Sequence, residues 1–152
     1  MRVAREVVLP CPVAEAWAVL VDWERQADWM RDADRVQVVS AAREGVGVRL
    51  AVRTRLLGVP AFTEPIEVTG WDPPHRLVIR HGGPVSGEGT WELVAVAGGE
   101  TRFTWTEEVA LAVPVVGGPV SRCYAPVLGL LMRRGLDGLR RAVIASGPDR
   151  AS

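Results

Sequence analysis

The sequence predicts an α+β fold in which a seven-stranded antiparallel sheet packs against one long C-terminal helix. Apolar residues recur at helical spacing near the N-terminus, at every second position through the middle of the chain, and at helical spacing again near the C-terminus. Short turns rich in glycine and proline separate the alternating stretches, which is typical of neighbouring antiparallel strands. A long amphipathic helix must cover an apolar surface, and the sheet is the one element large enough to provide it.

Length and composition indicate one globular domain, which we expect to span residues 1–148, followed by a disordered tail at 149–152. The chain has 152 residues, of which 48% are apolar and 24% charged. Its 18 basic and 18 acidic residues cancel, so it lacks the excess positive charge of a nucleic-acid-binding protein. Cys11 and Cys123 are expected to be reduced, buried thiols of a cytoplasmic protein, although one long-range disulfide between them is possible.

The first strand and two short helices occupy the N-terminal part of the chain. Residues 2–9 mix charged and β-branched side chains and predict a strand that ends at Pro10 and Pro12. Residues 13–23 predict a helix with proline just before its first turn, and residues 24–30 predict a second, shorter one. The N-terminal segment lacks the apolar centre of a signal peptide.

Six further strands follow a charged break at residues 31–34. The first begins at Arg35, and the others are expected at residues 46–57, 61–71, 75–81, 90–96 and 100–111. The strand at 46–57 shows the pattern most clearly, because one of its faces carries Val48, Leu50, Val52, Thr54 and Leu56. Its opposite face carries three arginines, so this side of the sheet should be exposed to water.

The last element is a long amphipathic helix that ends at residues 146–148, with Pro126 kinking or delaying its first turns. Its predicted apolar arc contains Val120, Tyr124, Val127, Leu128, Leu131, Met132, Gly135, Leu139, Ala142 and Val143. Gly135 and Gly138 fall inside this arc and Gly129 at its border, although each glycine costs about 1 kcal/mol in a helix interior. One interpretation is that strands approach the helix closely at these positions, and the other, which does not exclude the first, is that the missing side chains leave room for a ligand.

Several local sequences resemble those of a known superfamily. They are the stretch from Leu9-Pro10-Cys11-Pro12 to Trp17, then Asp22-Trp23 and Trp29, Trp71-Asp72-Pro73-Pro74-His75-Arg76-Leu77, the stretch from Gly99 to Trp105, and Gly138-Leu139-Arg140-Arg141. With the order of elements, they resemble the polyketide cyclase/dehydrase-like branch of the START-related helix-grip (SRPBCC) superfamily over nearly the whole chain. The resemblance implies a helix-grip fold, whose sheet wraps around the C-terminal helix and leaves a mostly apolar cavity between them.

Strand alternation predicts which side chains line such a cavity. The sheet is expected to contribute Leu50, Val52, Phe62, Ile66, Ile79, Trp91, Phe103 and Trp105, and the helix Val127, Leu128, Leu131 and Gly135. Pro65 leaves the register of one strand open, and with it the direction of Glu64. Trp91 and Trp105 could stack on a ligand ring or belong to the core. Most of this wall is aliphatic or aromatic, which suits a hydrophobic ligand.

Four polar residues, Glu64, His81, Glu107 and Tyr124, are candidates for acid/base or orienting roles in this cavity. Desolvation would raise the pKa of a carboxylate there and allow proton transfer near neutral pH. The alternatives are structural: either glutamate could pair with arginine or water near a strand end, His81 could be a solvated turn residue, and Tyr124 could be a core residue. No arginine falls among the predicted inward positions.

The leading hypothesis is a protein that binds a hydrophobic small molecule, which could be polyketide-, quinone- or lipid-like. The first alternative is a polyketide cyclase, aromatase or dehydratase, and the second is an interaction module without a ligand. The two histidines are six residues apart and lack a metal-binding motif, so no metal or cofactor is predicted. No nucleic-acid partner or stable membrane insertion is expected, since the longest apolar run is far shorter than the ~20 residues that a membrane-spanning helix needs. The sequence leaves monomer and homodimer open.

Overall fold

The computed structural model describes residues 1–56, 58–111 and 117–147, and within them the chain forms seven strands and three α-helices. The strands are β1 (Arg2–Leu9), β2 (Ala33–Val38), β3 (Arg49–Leu56), β4 (Val59–Asp72), β5 (Arg76–His81), β6 (Val85–Val96) and β7 (Glu100–Leu111). The helices are α1 (Val13–Leu20), α2 (Gln26–Trp29) and α3 (Gly117–Ala145), and a 3₁₀ turn at Trp23–Arg25 leads into α2.

All seven strands form one antiparallel sheet in the order β1-β7-β6-β5-β4-β3-β2. The short helices α1 and α2 follow β1, and α3 packs against β1, β7 and both short helices. The core consists of the inward side chains of the sheet and the buried side of α3. The α+β helix-grip architecture predicted from the sequence is therefore confirmed.

Several elements differ from their predicted bounds by one to three residues, and β6 differs most. The first helix ends at Leu20 rather than at residue 23, and β6 begins at Val85 rather than at residue 90. Strand β6 starts early because its glycines, like all residues except proline, keep a backbone N–H donor and a C=O acceptor. They therefore continue the hydrogen bonding between the strands. Gly87 pairs with Val109 and Gly89 with Glu107. These glycines remove side chains from the inner face of β6 without interrupting its hydrogen bonding.

The buried side of α3 is rotated relative to the predicted arc. Val127, predicted to line the cavity, is 49% exposed, whereas Leu136, which lay outside the predicted arc, is buried. The closest contacts of the helix explain the rotation. The Arg5 guanidinium of β1 lies against Gly129, and the backbone carbonyl of Trp29 lies against Gly138. Contacts at the glycines, rather than the largest side chains, therefore set which side of α3 faces the core.

The glycines of α3 mark close approaches. At Gly135 the nearest neighbour of a built Cβ would be Cζ3 of Trp105, at 3.2 Å, and at Gly129 and Gly138 the contacts with Arg5 and Trp29 are closer still. Neighbouring groups therefore occupy the space left by the missing side chains. Of the two interpretations of these glycines, the structure supports close packing at all three.

Both cysteines are free thiols, so the expectation of reduced cysteines is confirmed. Cys11 is buried as expected, but Cys123 is exposed because it lies on the outward side of α3. No helix in the described part of the chain is long and apolar enough to cross a membrane. The side chains of Leu56 and Val120 and the predicted tail at residues 149–152 lie outside the described residues.

Candidate functional site

A histidine lies between two glutamates on the inner face of the sheet. Nδ1 of His81 is 2.9 Å from Oε1 of Glu64, and Nε2 of the same ring is 3.0 Å from Oε2 of Glu107. The three side chains are only 12%, 8% and 6% exposed, in that order. A carboxylate can only accept hydrogen bonds, so both ring nitrogens donate and the ring is an imidazolium. We call these three residues the triad.

Gly87 and Gly89 of β6 leave room for the triad, whose residues come from β4, β5 and β7. His81 ends β5 and Glu107 lies in β7, and β6 runs between them, so the two side chains must span two strand spacings of about 4.8 Å each. Gly89 pairs with both Ile79 and Glu107. A Cβ on Gly89 would lie 2.9 and 3.1 Å from the carboxylate oxygens of Glu107. The Glu107 carboxylate therefore occupies the space that a side chain at position 89 would need.

The register around Pro65, which the sequence left open, directs Glu64 inward. Glu64 pairs with Val52, and Ile66 pairs with His81, so Glu64 and His81 lie diagonally across β4 and β5. Glu64 is buried, and Pro65 is exposed on the outer face. The two glutamates are thus buried and paired with histidine, rather than with the arginine or water that the structural alternative required.

The charge of His81 depends on its two partners. Burial alone would lower the pKa of the ring, but the hydrogen bonds and negative charges of Glu107 and Glu64 raise the pKa of His81 to about 10. The ring is therefore protonated at neutral pH, and the alternative of a solvated turn residue is wrong. Among the described residues no group of three side chains is arranged to hold a metal ion. Both ring nitrogens of His81 already face carboxylates.

The hydrogen bonds of the two glutamates are unequal. Nε1 of Trp105 donates to Oε1 of Glu107 at 2.6 Å, so both oxygens of Glu107 accept a hydrogen bond. This bond was not predicted, although residues two apart on a strand share a face and could have suggested it. Glu64 uses only Oε1, and within the described part of the chain its Oε2 has no hydrogen-bond partner.

Asp32 and Tyr124 lie within electrostatic reach of the triad. Burial raises the pKa of Asp32, and the negative charges of Glu107 and Glu64 raise it further, whereas His81 lowers it. Burial also raises the pKa of Tyr124, together with the charges of Asp32, Glu64 and Glu107, so its hydroxyl stays neutral at physiological pH. The sequence did not single out Asp32, because it lies in the turn before β2, where no periodicity marks an inward direction.

The predicted apolar wall divides into a packed part and a more accessible part. The buried residues of this wall are Leu50, Val52, Ile66, Ile79, Trp91, Phe103 and Trp105. Trp91 packs edge to face on Phe103 and Trp105, with ring centroids 6.0 and 6.1 Å apart. Phe62, Leu128 and Leu131 are only half-buried, as is Tyr124. The accessible part of the wall therefore includes β4 and the first half of α3.

One arginine lies on the inner side of the sheet, contrary to the sequence-based expectation. Arg5 falls in phase with Val3 and Leu9, both buried, and its guanidinium lies between β1 and Gly129. The alternation of side chains along β1 places Arg5 on the same face as these two residues. Among the described residues, no arginine lies within ion-pair distance of Glu64 or Glu107, whose partner is His81.

A surface cleft of about 1050 Å³ lies between α1, α2 and the C-terminal part of α3. Asp22, Asp28, Arg25 and Arg141 are among the charged residues that line it, and no residue of the triad does. This cleft is therefore distinct from the internal cavity that the sequence predicts between the sheet and α3. The internal cavity stays a prediction.

Comparisons with known proteins agree with this architecture. A family model described as "Polyketide cyclase / dehydrase and lipid transport" matches residues 1–143. The structure of TTHA0849 from Thermus thermophilus shares 24% identity with a TM-score of 0.81, covering 97% of this chain and 99% of that one. A START superfamily protein from Mycobacterium smegmatis shares 13% identity with a TM-score of 0.77, covering 96% and 99%. The Zhui aromatase/cyclase from Streptomyces sp. R1128 shares 17% identity with a TM-score of 0.73, covering 100% and 96%. No curated protein matches the chain.

Proposed function

Because the chain belongs to the polyketide cyclase/dehydrase and lipid transport family, we propose that it binds a polyketide-, quinone- or lipid-like small molecule between the sheet and α3. The domain that does so is proposed to span residues 1–148. The family description names polyketide cyclases, dehydrases and lipid transport, and one structural neighbour is an aromatase/cyclase. Both support a ligand of this class.

The triad is the observation that carries the proposal. Burying charged groups costs several kcal/mol each, and a buried ion pair commonly adds no more stability than apolar side chains of the same volume. Strongly perturbed titratable groups are concentrated at functional sites. A protonated histidine and two glutamates on the inner face of an otherwise apolar sheet are therefore better explained by a ligand than by stability.

The proposed ligand has an apolar body and a polar end. Phe62, Leu128 and Leu131 are half-buried and would contact the body, because apolar side chains that keep some accessible surface gain most from being covered. The triad and Tyr124 would orient the polar end.

We expect 2-naphthol, used as a neutral aromatic probe, to raise the melting temperature in proportion to the logarithm of its concentration and to quench tryptophan fluorescence. Leu131→Trp should weaken its binding at least about tenfold, because an indole at this position would fill space next to the wall. Leu130→Trp is the matched control, since Leu130 is the next residue of α3 and is 48% exposed. Circular dichroism establishes that both variants fold.

The result that would overturn the proposal is a melting temperature unchanged by 2-naphthol and by larger apolar probes. Such a result would favour the interaction module without a ligand. Equal affinities of the two tryptophan variants and of the wild type would also contradict it, because they would place the probe away from α3.

Catalysis of cyclisation, aromatisation or dehydration is the second candidate function. The observation in its favour is a group of titratable side chains around His81, namely the neutral hydroxyl of Tyr124 and the carboxyl groups of Asp32, Glu64 and Glu107. His81 would orient substrate rather than accept a proton, since its ring is already protonated. In this case Glu107→Gln should abolish turnover of a poly-ketone chain and change the affinity for 2-naphthol by less than about threefold. Unchanged turnover would exclude Glu107 from the chemistry.

A further inference from the structure

Arg5 places a half-buried guanidinium on the inner side of the sheet without an acidic partner. Its head group lies against Gly129 of α3. Nη1 donates to the carbonyl oxygen of Ala4 at 2.8 Å, whereas the buried Nε–H meets no acceptor among the described residues. In the same part of the chain no carboxylate lies within ion-pair distance of this guanidinium. Arg5 therefore keeps a charge and a buried donor that the protein itself does not match.

The neighbours of Arg5 on the inner face are donors rather than acceptors. Arg5 pairs with Trp105 of β7, and Trp105 pairs with Trp91 of β6, so these three side chains form one row across the sheet. The indole N–H of Trp105 is used on Glu107. The indole N–H groups of Trp91 and of Trp29, whose ring packs beside that of Trp91, are buried without an acceptor in the described part of the chain. Indole and guanidinium groups can only donate, so the row needs an acceptor from outside the protein.

The other charges of the interior do not repel an anion at this position. Arg5 adds a positive charge to that of His81, and together they balance the two glutamates of the triad. Burial raises the pKa of Asp32, which favours its neutral form. Glu107 lies in the adjacent row, but both of its oxygens already accept hydrogen bonds, from Trp105 and His81. These inward groups therefore carry no net charge, and the guanidinium is left to attract an anion of its own.

We propose that the ligand carries a carboxylate on its apolar body, separate from the polar group at the triad, and that Arg5 binds this carboxylate; this inference rests on the proposed function. A guanidinium presents its N–H groups in a fork that matches the two oxygens of a carboxylate. Hydrogen bonds between such charged groups are about twice as strong as those between neutral ones. A ligand oxygen would also satisfy the buried Nε–H, which is unfavourable to leave without an acceptor.

The charge of Arg5 distinguishes a carboxylate from other acceptors. A neutral carbonyl group would accept a hydrogen bond from the guanidinium but would leave its charge unmatched. A protonated amine would offer only further donors and would be repelled by the guanidinium. The comparison between a carboxylate and a ketone of similar shape therefore isolates the contribution of the charge.

Two probes make this comparison, 6-hydroxy-2-naphthoate and 6-acetyl-2-naphthol. They share the hydroxyl group and the ring system, and they differ in a carboxylate against a neutral acetyl group of similar shape. The carboxylate is ionised at pH 7, where both are titrated by calorimetry. The naphthoate is expected to bind at least about tenfold more tightly than the acetyl compound.

Arg5→Met is expected to weaken binding of the naphthoate at least about tenfold and to change the affinity for the acetyl compound less than about threefold. Arg5→Gln provides a second variant should Arg5→Met fail to fold, with the same expected loss. Arg2→Met is the matched control, because Arg2 lies on the same strand, is exposed on its outer face and pairs with Glu108. It should leave both affinities unchanged.

The outcomes separate this inference from the function on which it rests. If the naphthoate binds no more tightly than the acetyl compound, or if the Arg5 variant leaves its affinity unchanged, water satisfies Arg5 and the carboxylate site is refuted, while apolar ligand binding stands. An equal loss in Arg2→Met would also refute it, because the attraction would then come from the surface charge in general. If neither probe binds and 2-naphthol does not bind either, the proposed function itself fails.

Discussion

Replacing His81 with glutamine is expected to lower the free energy of unfolding by about 3–5 kcal/mol at pH 7, as found when one partner of a buried ion pair is removed. The wild-type ring lies between Glu64 and Glu107 and donates a hydrogen bond to each. Glutamine carries no charge, so the variant leaves two buried carboxylates without a cation. Urea denaturation followed by circular dichroism measures the change.

Two further variants make this result specific to the triad. His75→Gln should change stability by less than about 1 kcal/mol, because His75 is exposed just before β5 and its Nδ1 makes one long hydrogen bond, 3.3 Å from the carbonyl oxygen of Leu93. The triple variant Glu64→Gln, His81→Gln, Glu107→Gln should recover much of the loss, because it removes the uncompensated charges along with the histidine. A loss below about 1 kcal/mol in His81→Gln would mean that the three groups do not form a buried ionic network.

The wild-type protein is expected to lose on the order of a few kcal/mol of stability between pH 6.5 and pH 10. The pKa of His81 is about 10 in the folded state against 6.5 for an unperturbed histidine. Below pH 6.5 both states hold the proton, and its stabilising effect is complete. Above pH 6.5 the unfolded chain releases the proton while the folded chain keeps it, so stability falls as the pH rises towards 10.

The triple variant is the control for this pH dependence, since it retains every other group that titrates in the alkaline range. Burial raises the pKa values of the Cys11 thiol and of Tyr124, and both groups are present in the two proteins. The contribution of Cys11 cancels in the difference between the two denaturation series, and that of Tyr124 cancels except for the part of its pKa shift that comes from the charges of Glu64 and Glu107. A difference that does not change from pH 6.5 to pH 10 would contradict an elevated pKa at His81.

The sequence predicts the fold well because alternation and helical spacing act over whole elements. Counting every second residue places His81 and Glu107 on the inner face, whereas Pro65 leaves the direction of Glu64 open until the register of β4 is known. Their contact could not be predicted in the same way, because it depends on Gly87 and Gly89 continuing β6 through a stretch that looked like a turn. Strand order then brings β5 and β7 to either side of these glycines.

The rotation of α3 and the inward position of Asp32 could not be predicted from the sequence for a different reason. The predicted arc was counted at about 100° per residue from Val120, whereas in the structure the helix also approaches Arg5 at Gly129 and Trp29 at Gly138. Val127 was therefore misplaced and Leu136 missed. Asp32 lies in a turn, where the direction of a side chain follows from neighbouring elements rather than from local periodicity.

The most direct test of the buried triad is an NMR titration of the histidine ring nitrogens. The chain has two histidines, so exposed His75 serves as an internal reference for His81 in the same spectrum. At pH 8 both ring nitrogens of His81 should carry protons, and the ring should titrate near pH 10. A His81 ring that loses its proton near pH 6.5 would show that the two glutamates do not hold it as a cation.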